Sequence, residues 1–268
     1  MALNPKNGRI EMDGTRMEYI RFGSGKRTLV MLPGLGDSLR SVYGAALPMA
    51  LMYHKFTRDF TVYAFSRKWD IPMGYTTWDM ARDRAAAMER LEFEKADVLG
   101  VSMGGMVAQW LAIDHPERVN RLILTVTCPG QNPILRESVN EWISLAKAGD
   151  HSAFMDSNLK RIYSDGYYRR NRWTVPILGA LTKPESYDRF FVQADACLTH
   201  DATDYLGKIS APTLVVGGEQ DRSLGGDASR ELAAGIPGAQ LRMYEQWGHG
   251  LYEEAKDFNQ VVMDYLHV

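Results

Sequence analysis

The sequence contains only two cysteines, Cys128 and Cys197, which form neither a disulfide framework nor a CxxC zinc site. Its apolar segments are short, and none approaches the roughly 18 consecutive apolar residues of a transmembrane helix. The first residues include no apolar stretch of the kind found in secretory signals. We therefore expect a cytoplasmic protein with buried thiols and no membrane span.

The sequence also lacks a large excess of charge of either sign. The chain has 31 Lys and Arg against 33 Asp and Glu, a formal net charge of −2. Nucleic-acid binding requires a concentrated basic surface, and no run of Lys and Arg supplies one. With 45% hydrophobic and 24% charged residues, the composition is typical of a globular protein. The 268 residues are enough for one α/β domain with an insertion or for two small domains.

Short apolar runs predict a parallel sheet preceded by a hairpin. Asp13-Gly14 separates two alternating runs, and this pair accepts the positive φ of a hairpin turn. Amphipathic or apolar helices are predicted at 79–91 and 104–113. The predicted buried strands lie at 28–32, 61–65, 96–101, 121–126, 213–217 and 241–244. Alternation of strands and helices predicts an α/β fold that binds ligands at the carboxyl ends of its strands.

The strand patterns disappear between Cys128 and Gly207, where helical segments rich in aromatic residues and arginines take their place. The strand pattern resumes at Ile209. We therefore predict a helical cap at 128–207, inserted into a core made of residues 1–127 and 208–268. Within the cap, the segment YYRRNRW at 167–173 either binds an anionic substrate or forms a solvated helix face, and the second interpretation is favoured.

The most informative motif is GVSMGG at 100–105, between a predicted strand and a predicted helix. A serine in such a sharp turn needs glycines two residues to either side, because a Cβ there would collide with the neighbouring backbone. Gly100 and Gly104 meet this requirement. Ser102 is therefore the candidate nucleophile.

A serine hydroxyl needs a histidine base that is oriented by a carboxylate. Of six histidines, His249 is the best candidate, because it follows the last predicted strand between two glycines. The carboxylate is expected after the preceding strand, where Asp221 is favoured and Glu219 is the alternative. Asp221 could instead cap the helix that follows it.

An oxyanion needs two backbone N–H donors. Met103 supplies one at the start of the helix after Ser102. Leu35 is the expected second donor, with Gly36 as the alternative, because the glycines of the loop after the first parallel strand allow a close approach. The candidate substrate-pocket residues, listed together, are Gly34, Gly36, Asp37, Trp142 and Trp173. Asp37 and Ser38 either contact substrate or cap the following helix.

These motifs occur in the order Ser, Asp, His, and over nearly the whole chain outside the insertion the sequence resembles the cap-bearing serine hydrolases of the α/β-hydrolase fold. The resemblance implies a mostly parallel sheet of eight strands with helices on both faces, no cofactor and no metal. One departure is that Pro33 stands where relatives carry a histidine that braces the oxyanion loop.

The expected activity is hydrolysis of a carboxylic ester with a small to medium acyl or aromatic group, through an acyl-enzyme. The nucleophile motif does not distinguish an esterase from a lactonase, thioesterase, C–C bond hydrolase, aminopeptidase or cofactor-free perhydrolase. A ligand-binding receptor with little turnover is an alternative of another class. The partner is expected to be a small-molecule acyl substrate, and the protein a monomer or homodimer.

Overall fold

A computed structural model describes residues 3–267 of the chain. Its eight strands form one sheet in the order β1-β2-β4-β3-β5-β6-β7-β8. The strands are β1 (Lys6–Met12), β2 (Thr15–Gly23), β3 (Arg27–Leu32), β4 (Phe60–Lys68), β5 (Ala96–Val101), β6 (Val119–Thr125), β7 (Thr213–Gly218) and β8 (Gln240–Tyr244). Strand β2 pairs antiparallel with β1 and β4, and all other neighbours are parallel. The predicted mostly parallel sheet of eight strands is confirmed.

Eleven α-helices lie within the described residues. They are α1 (Ala46–Met52), α2 (Thr77–Arg90), α3 (Met103–Asp114), α4 (Pro133–Lys147), α5 (His151–Ile162), α6 (Asp165–Asn171), α7 (Val175–Thr182), α8 (Asp188–Thr199), α9 (Asp227–Gly235), α10 (Leu251–Glu254) and α11 (Phe258–His267). Every predicted strand and helix is present with ends shifted by at most three residues. The Asp13-Gly14 turn has positive φ at both positions, which confirms the predicted hairpin.

Two hydrophobic clusters cover the two faces of the sheet. Because side chains alternate along a strand, Val30 and Leu32 of β3 join one cluster while Leu29 and Met31 join the other. The first cluster contains residues of α2, α3 and α9, and the second contains residues of α1 and α11. The helices therefore lie on both faces, and the carboxyl ends of the parallel strands remain free for a site.

Helices α4 to α8 occupy the chain between β6 and β7, two strands that pair directly with each other. Trp142, Phe154 and Phe190 from these helices belong to the same hydrophobic cluster as α2 and α3. This packing fixes the helical segment against one side of the sheet. The limits 128–207 for a separate cap stay a prediction.

Neither cysteine carries a disulfide, and both are buried, as predicted. Burial raises the pKa of the Cys197 thiol to about 12 and that of Cys128 still further. No helix within residues 3–267 is long and apolar enough to cross a membrane. The same residues contain no group of three or more His, Cys, Asp or Glu side chains placed to hold a metal ion.

Candidate active site

Ser102 lies in the tight turn between β5 and α3, with φ 54° and ψ −123°. Few residues other than glycine adopt positive φ, so the surrounding structure holds this serine in a strained conformation. A Cβ on Gly104 would lie 1.9 Å from the carbonyl oxygen of Leu32, and a Cβ on Gly100 would lie 2.6 Å from the carbonyl oxygen of Gly104. The glycines predicted to be necessary are therefore required by backbone contacts.

His249 and Asp221 meet at the carboxyl end of the sheet. The imidazole Nδ1 lies 2.8 Å from Asp221 Oδ2, and both residues are buried. Asp221 Oδ1 accepts hydrogen bonds from the backbone N–H groups of Ser223 (2.8 Å) and Leu224 (2.9 Å). The carboxylate is thus fixed on both oxygens. With Nδ1 donating to Asp221, Nε2 is the ring nitrogen able to accept a proton.

Glu219, the alternative carboxylate, and the two cap histidines form contacts with other side chains. Glu219 forms an ion pair with Arg230. His151 Nδ1 lies 2.6 Å from the Tyr187 hydroxyl, and His200 Nδ1 lies 2.9 Å from Thr77 Oγ1. Burial lowers the pKa of His200 to about 4. Of these candidates, only Asp221 and His249 form a carboxylate–imidazole pair beside Ser102.

Two backbone amides beside Ser102 are free to bind an oxyanion. The N–H of Ser102 itself donates to the carbonyl of Thr125 at 2.9 Å. The N–H groups of Met103 and Leu35 donate to no group in the part of the chain that the structure describes. Gly34 lies against the nucleophile, since a Cβ there would be 3.4 Å from Ser102 Cβ. Met103 and Leu35 thus stay the predicted oxyanion donors.

Arg67 and Asp37 brace the loop that carries Leu35. The Arg67 guanidinium donates from Nη1 to the carbonyl oxygen of Gly34 at 2.9 Å and lies 3.5 Å from Asp37 Oδ2. The Arg67 backbone N–H donates to the same Asp37 oxygen at 2.9 Å. Both side chains are almost fully buried. This ion pair holds the loop in the absence of the histidine that Pro33 replaces.

A cavity of about 430 Å³ contains Ser102 and His249 in its wall. Apolar side chains dominate the rest of its lining, and none of the lining residues is Lys or Arg. Four of the five predicted pocket residues line it, namely Gly34, Gly36, Asp37 and Trp142. Asp37 therefore both contacts the cavity and braces the loop, rather than capping the next helix. The site is an apolar chamber with a few convergent polar groups, as is typical of small-molecule sites.

The prediction that Trp173 lines the pocket is wrong. Trp173 lies in a 3₁₀ turn between α6 and α7 that has no buried residues, and its side chain is 68% exposed. Helix α6 also lacks buried residues, and Tyr168 donates its hydroxyl to the carboxylate of Asp156 while Arg172 lies over the Tyr168 ring. The segment at 167–173 therefore forms the solvated helix face that the sequence favoured.

Three hydrogen-bonded contacts join the cap to the segment that follows His249. The Gly250 N–H donates to the carbonyl of Ile162 at 2.6 Å, and the Tyr163 hydroxyl donates to Glu253 Oε2 at 2.7 Å. Ser164 donates from its hydroxyl (2.6 Å) and its N–H (2.9 Å) to the carboxylate of Glu254. The cap helices are thus bonded directly to the loop that presents the imidazole.

Sequence reasoning missed Arg67 and Glu253. Arg67 follows the end of the β4 apolar run, at the edge of the sheet where ligands bind, and this position was its only signal. Glu253 comes one helical turn after His249 and lines the cavity. Desolvation and the neighbouring Glu254 carboxylate raise the pKa of the Glu253 carboxyl, and the hydrogen bond from Tyr163 opposes this rise.

Comparison with known proteins gives one consistent result. The family model described as alpha/beta hydrolase fold matches residues 27–256. A 2-hydroxy-6-oxononadienedioate/2-hydroxy-6-oxononatrienedioate hydrolase from Cupriavidus pinatubonensis is 34% identical over 188 residues, which cover 67% of this chain and 64% of that protein.

Solved structures agree on the fold. An alpha/beta hydrolase enzyme from a Medee basin deep-sea metagenome library superposes with a TM-score of 0.84 at 20% identity, covering 97% of this chain and 98% of that one. The enol-lactonase from Burkholderia xenovorans superposes with a TM-score of 0.80 at 22% identity, covering 97% of this chain and all of that one (100%). The chain belongs to the alpha/beta hydrolase fold family.

Proposed function

We propose that this protein is a hydrolase that cleaves carboxylic esters of small to medium, mainly apolar or aromatic acyl groups through an acyl-enzyme. The observation that carries the proposal is a combination of three features: Ser102 in a strained turn at the cavity wall, the His249–Asp221 hydrogen bond at 2.8 Å, and the two unpartnered amides of Met103 and Leu35. Each component answers one requirement of acyl transfer, namely nucleophile, oriented base and oxyanion donors.

In the first half of the reaction, Ser102 Oγ attacks the ester carbonyl while His249 Nε2 takes the hydroxyl proton. The N–H groups of Met103 and Leu35 receive the oxygen that becomes negative. Asp221 keeps the proton on Nδ1 and stabilises the imidazolium that forms. Collapse of the tetrahedral intermediate breaks the bond to the alcohol oxygen, which leaves with the proton from Nε2.

In the second half, water replaces the alcohol. His249 Nε2 removes a proton from the water as its oxygen attacks the acyl-enzyme carbonyl. The second tetrahedral intermediate uses the same two amides. Its collapse returns the proton to Ser102 Oγ and releases the carboxylic acid, which completes a hydrolysis that needs no further reactant.

The cavity supports a limit on substrate size. Its volume of about 430 Å³ is at the lower end of the usual range for small-molecule sites. Trp142, Phe154 and Phe190 line it from the cap side. Flat aromatic and short aliphatic acyl groups fit such a lining, because burial of their apolar surface supplies the binding free energy.

The second candidate is C–C bond hydrolysis, which the name of the Cupriavidus pinatubonensis relative suggests. That name describes a dioate, a substrate with two carboxylates. Binding two carboxylates favours a cationic lining, whereas the lining residues here include no Lys or Arg and do include Glu253. The charge of the cavity therefore favours the ester over the diacid.

The test compares turnover of p-nitrophenyl acetate, butyrate and octanoate by the wild type and by Ser102→Ala. We expect multiple turnovers that fall with the octanoate and vanish in the variant. Product limited to one equivalent would instead indicate a receptor. The same preparations are given 2-hydroxy-6-oxononadienedioate, with products separated and quantified. Cleavage of the diacid faster than of every ester would replace the ester proposal with the C–C alternative.

A further inference from the structure

The rim of the active-site cavity carries a carboxylate that no cation neutralises. Glu253 lines the cavity, and no Lys, Arg or His of the described chain lies within ion-pair distance of it. The other two carboxylates of the site are compensated, since Asp37 pairs with Arg67 and Asp221 binds His249 and two backbone amides. Glu253 is thus the one carboxylate of the described site that has no cationic partner.

This carboxylate is held in place on one oxygen only. The Tyr163 hydroxyl donates to Oε2 at 2.7 Å, and the Tyr163 ring stacks on Tyr167 with centroids 4.2 Å apart. Helix α10 fixes the backbone of Glu253, because the Glu253 N–H donates to the Gly250 carbonyl at 2.9 Å. Oε1 has no partner in residues 3–267. A preorganised carboxylate with one free oxygen is suited to receive a cation or a hydrogen-bond donor.

Aromatic side chains accompany Glu253 in the cavity lining. Tyr53 and Tyr252 line the cavity together with Glu253. Aromatic faces attract organic cations and add to the attraction of a carboxylate. A substrate carboxylate at this position would meet repulsion without a compensating cation.

We propose that Glu253, positioned by Tyr163, is a specificity-determining subsite for substrates that carry an organic cation, such as an amine or quaternary ammonium group, at the end remote from the ester carbonyl. The subsite deepens the proposed ester hydrolysis and rests on it. It selects cationic over neutral esters, and neutral over anionic ones. The reacting groups at Ser102 and His249 are the same for all three.

The test uses three p-nitrophenyl esters of similar length that differ in charge. They are the 4-(trimethylammonio)butyrate, its neutral isostere 5,5-dimethylhexanoate, and the anionic half-ester of adipic acid. At pH 8 we expect kcat/KM for the cation to exceed that for the isostere about tenfold, the size of one charge interaction near a protein surface. The anion should fall below the isostere by a similar factor.

Substitutions test whether Glu253 causes the preference for the cationic ester. Glu253→Gln should bring kcat/KM for all three esters within about threefold of one another. Glu245→Gln removes the same charge from an exposed residue outside the cavity lining and should leave the preference intact. Tyr163→Phe should lower the cationic preference without abolishing it. An unchanged cation-to-neutral ratio in Glu253→Gln would overturn the proposal.

A binding measurement separates this proposal from ester hydrolysis itself. Choline and its neutral isostere 3,3-dimethylbutan-1-ol are titrated into wild type, Glu253→Gln and Ser102→Ala by calorimetry. We expect choline to bind more tightly than the isostere in wild type and Ser102→Ala, and equally in Glu253→Gln. If no ester is turned over but choline selectivity depends on Glu253, the proposed reaction fails and the subsite stands. Equal binding of the two probes by wild type would refute the subsite.

Discussion

The guanidinium of Arg67, at the end of β4, donates a hydrogen bond to the backbone carbonyl of Gly34, 33 positions earlier in the chain, at 2.9 Å. Gly34 precedes Leu35, whose N–H is one of the two proposed oxyanion donors. The Arg67 side chain of β4 therefore orients the Gly34–Leu35 peptide, which follows β3. The neighbouring Asp37 balances the buried positive charge.

Replacing Arg67 by Lys should lower kcat by about 10²-fold, the usual effect of losing one oxyanion donor, because an ammonium cannot contact both Gly34 and Asp37 in the same geometry. KM should stay within about threefold of wild type, since the apolar lining is unchanged. Rates are expressed per active site titrated with a fluorophosphonate, which removes any contribution from unfolded protein. A rise in KM with unchanged kcat would show that Arg67 serves the cavity shape instead.

Asp221→Asn should lower kcat by about 10⁴-fold with the fold intact. The Asn oxygen can still accept from the Ser223 and Leu224 amides, so its NH₂ group then faces His249 Nδ1. That contact places the imidazole proton on Nε2 and leaves Ser102 without a base. Glu219→Gln is the matched control and should keep full activity, because Glu219 pairs with Arg230. Steady-state kinetics and circular dichroism check both variants.

Trp142→Ala should shift the preferred p-nitrophenyl ester from butyrate towards octanoate, because it removes an indole from the cavity wall. It should also lower the free energy of unfolding by about 3–5 kcal/mol, as for other buried aromatic truncations. Trp173→Ala is the control: its exposed side chain lies outside the cavity, and both properties should be unaffected. Urea unfolding and an ester series measure the two effects. The same chain-length profile in Trp142→Ala as in wild type would contradict this placement of Trp142.

His200 should make the fold sensitive to acid. Burial lowers its pKa to about 4 in the folded protein, against about 6.5 when unfolded. The unfolded chain thus binds more protons below pH 6.5, and stability present above that pH is lost as the pH falls towards 4. The loss between pH 7 and 4.5 is about 2–3 kcal/mol.

Urea unfolding at about pH 7 and about pH 4.5 measures this loss of unfolding free energy. His200→Asn should lose about 2–3 kcal/mol less than wild type on acidification, whatever its stability at pH 7. The exposed His54→Asn should retain the wild-type pH dependence. An identical pH dependence in wild type and His200→Asn would exclude His200 as the cause.

The parts of the site that follow from local backbone constraints were predictable from the sequence. Gly100 and Gly104 mark the sharp turn because only glycine fits between the strand and the helix. The position of His249 after the last strand follows from the edge at which parallel strands end. Both signals depend on residues that are neighbours along the chain.

The parts that depend on tertiary contacts were not predictable. Arg67 is buried by a loop 30 positions away, and in the sequence it resembles any surface arginine. Glu253 and Glu254 are adjacent carboxylates, yet helix α10 directs one to the cavity and the other to Ser164. Trp142 and Trp173 differ in burial because α4 packs on the sheet cluster, whereas the 3₁₀ turn that carries Trp173 has no buried residues. A sequence pattern does not separate such pairs.

The hydrogen bonds between the cap and the segment after His249 restrict movement of the cap next to the imidazole. Movement of the α5 end of the cap would break the Gly250–Ile162 bond or displace the imidazole with it. Met52 of α1 lines the cavity and is 45% exposed, so the chamber already opens to solvent there. We therefore expect substrate to enter and product to leave beside α1, without movement of the cap or of His249.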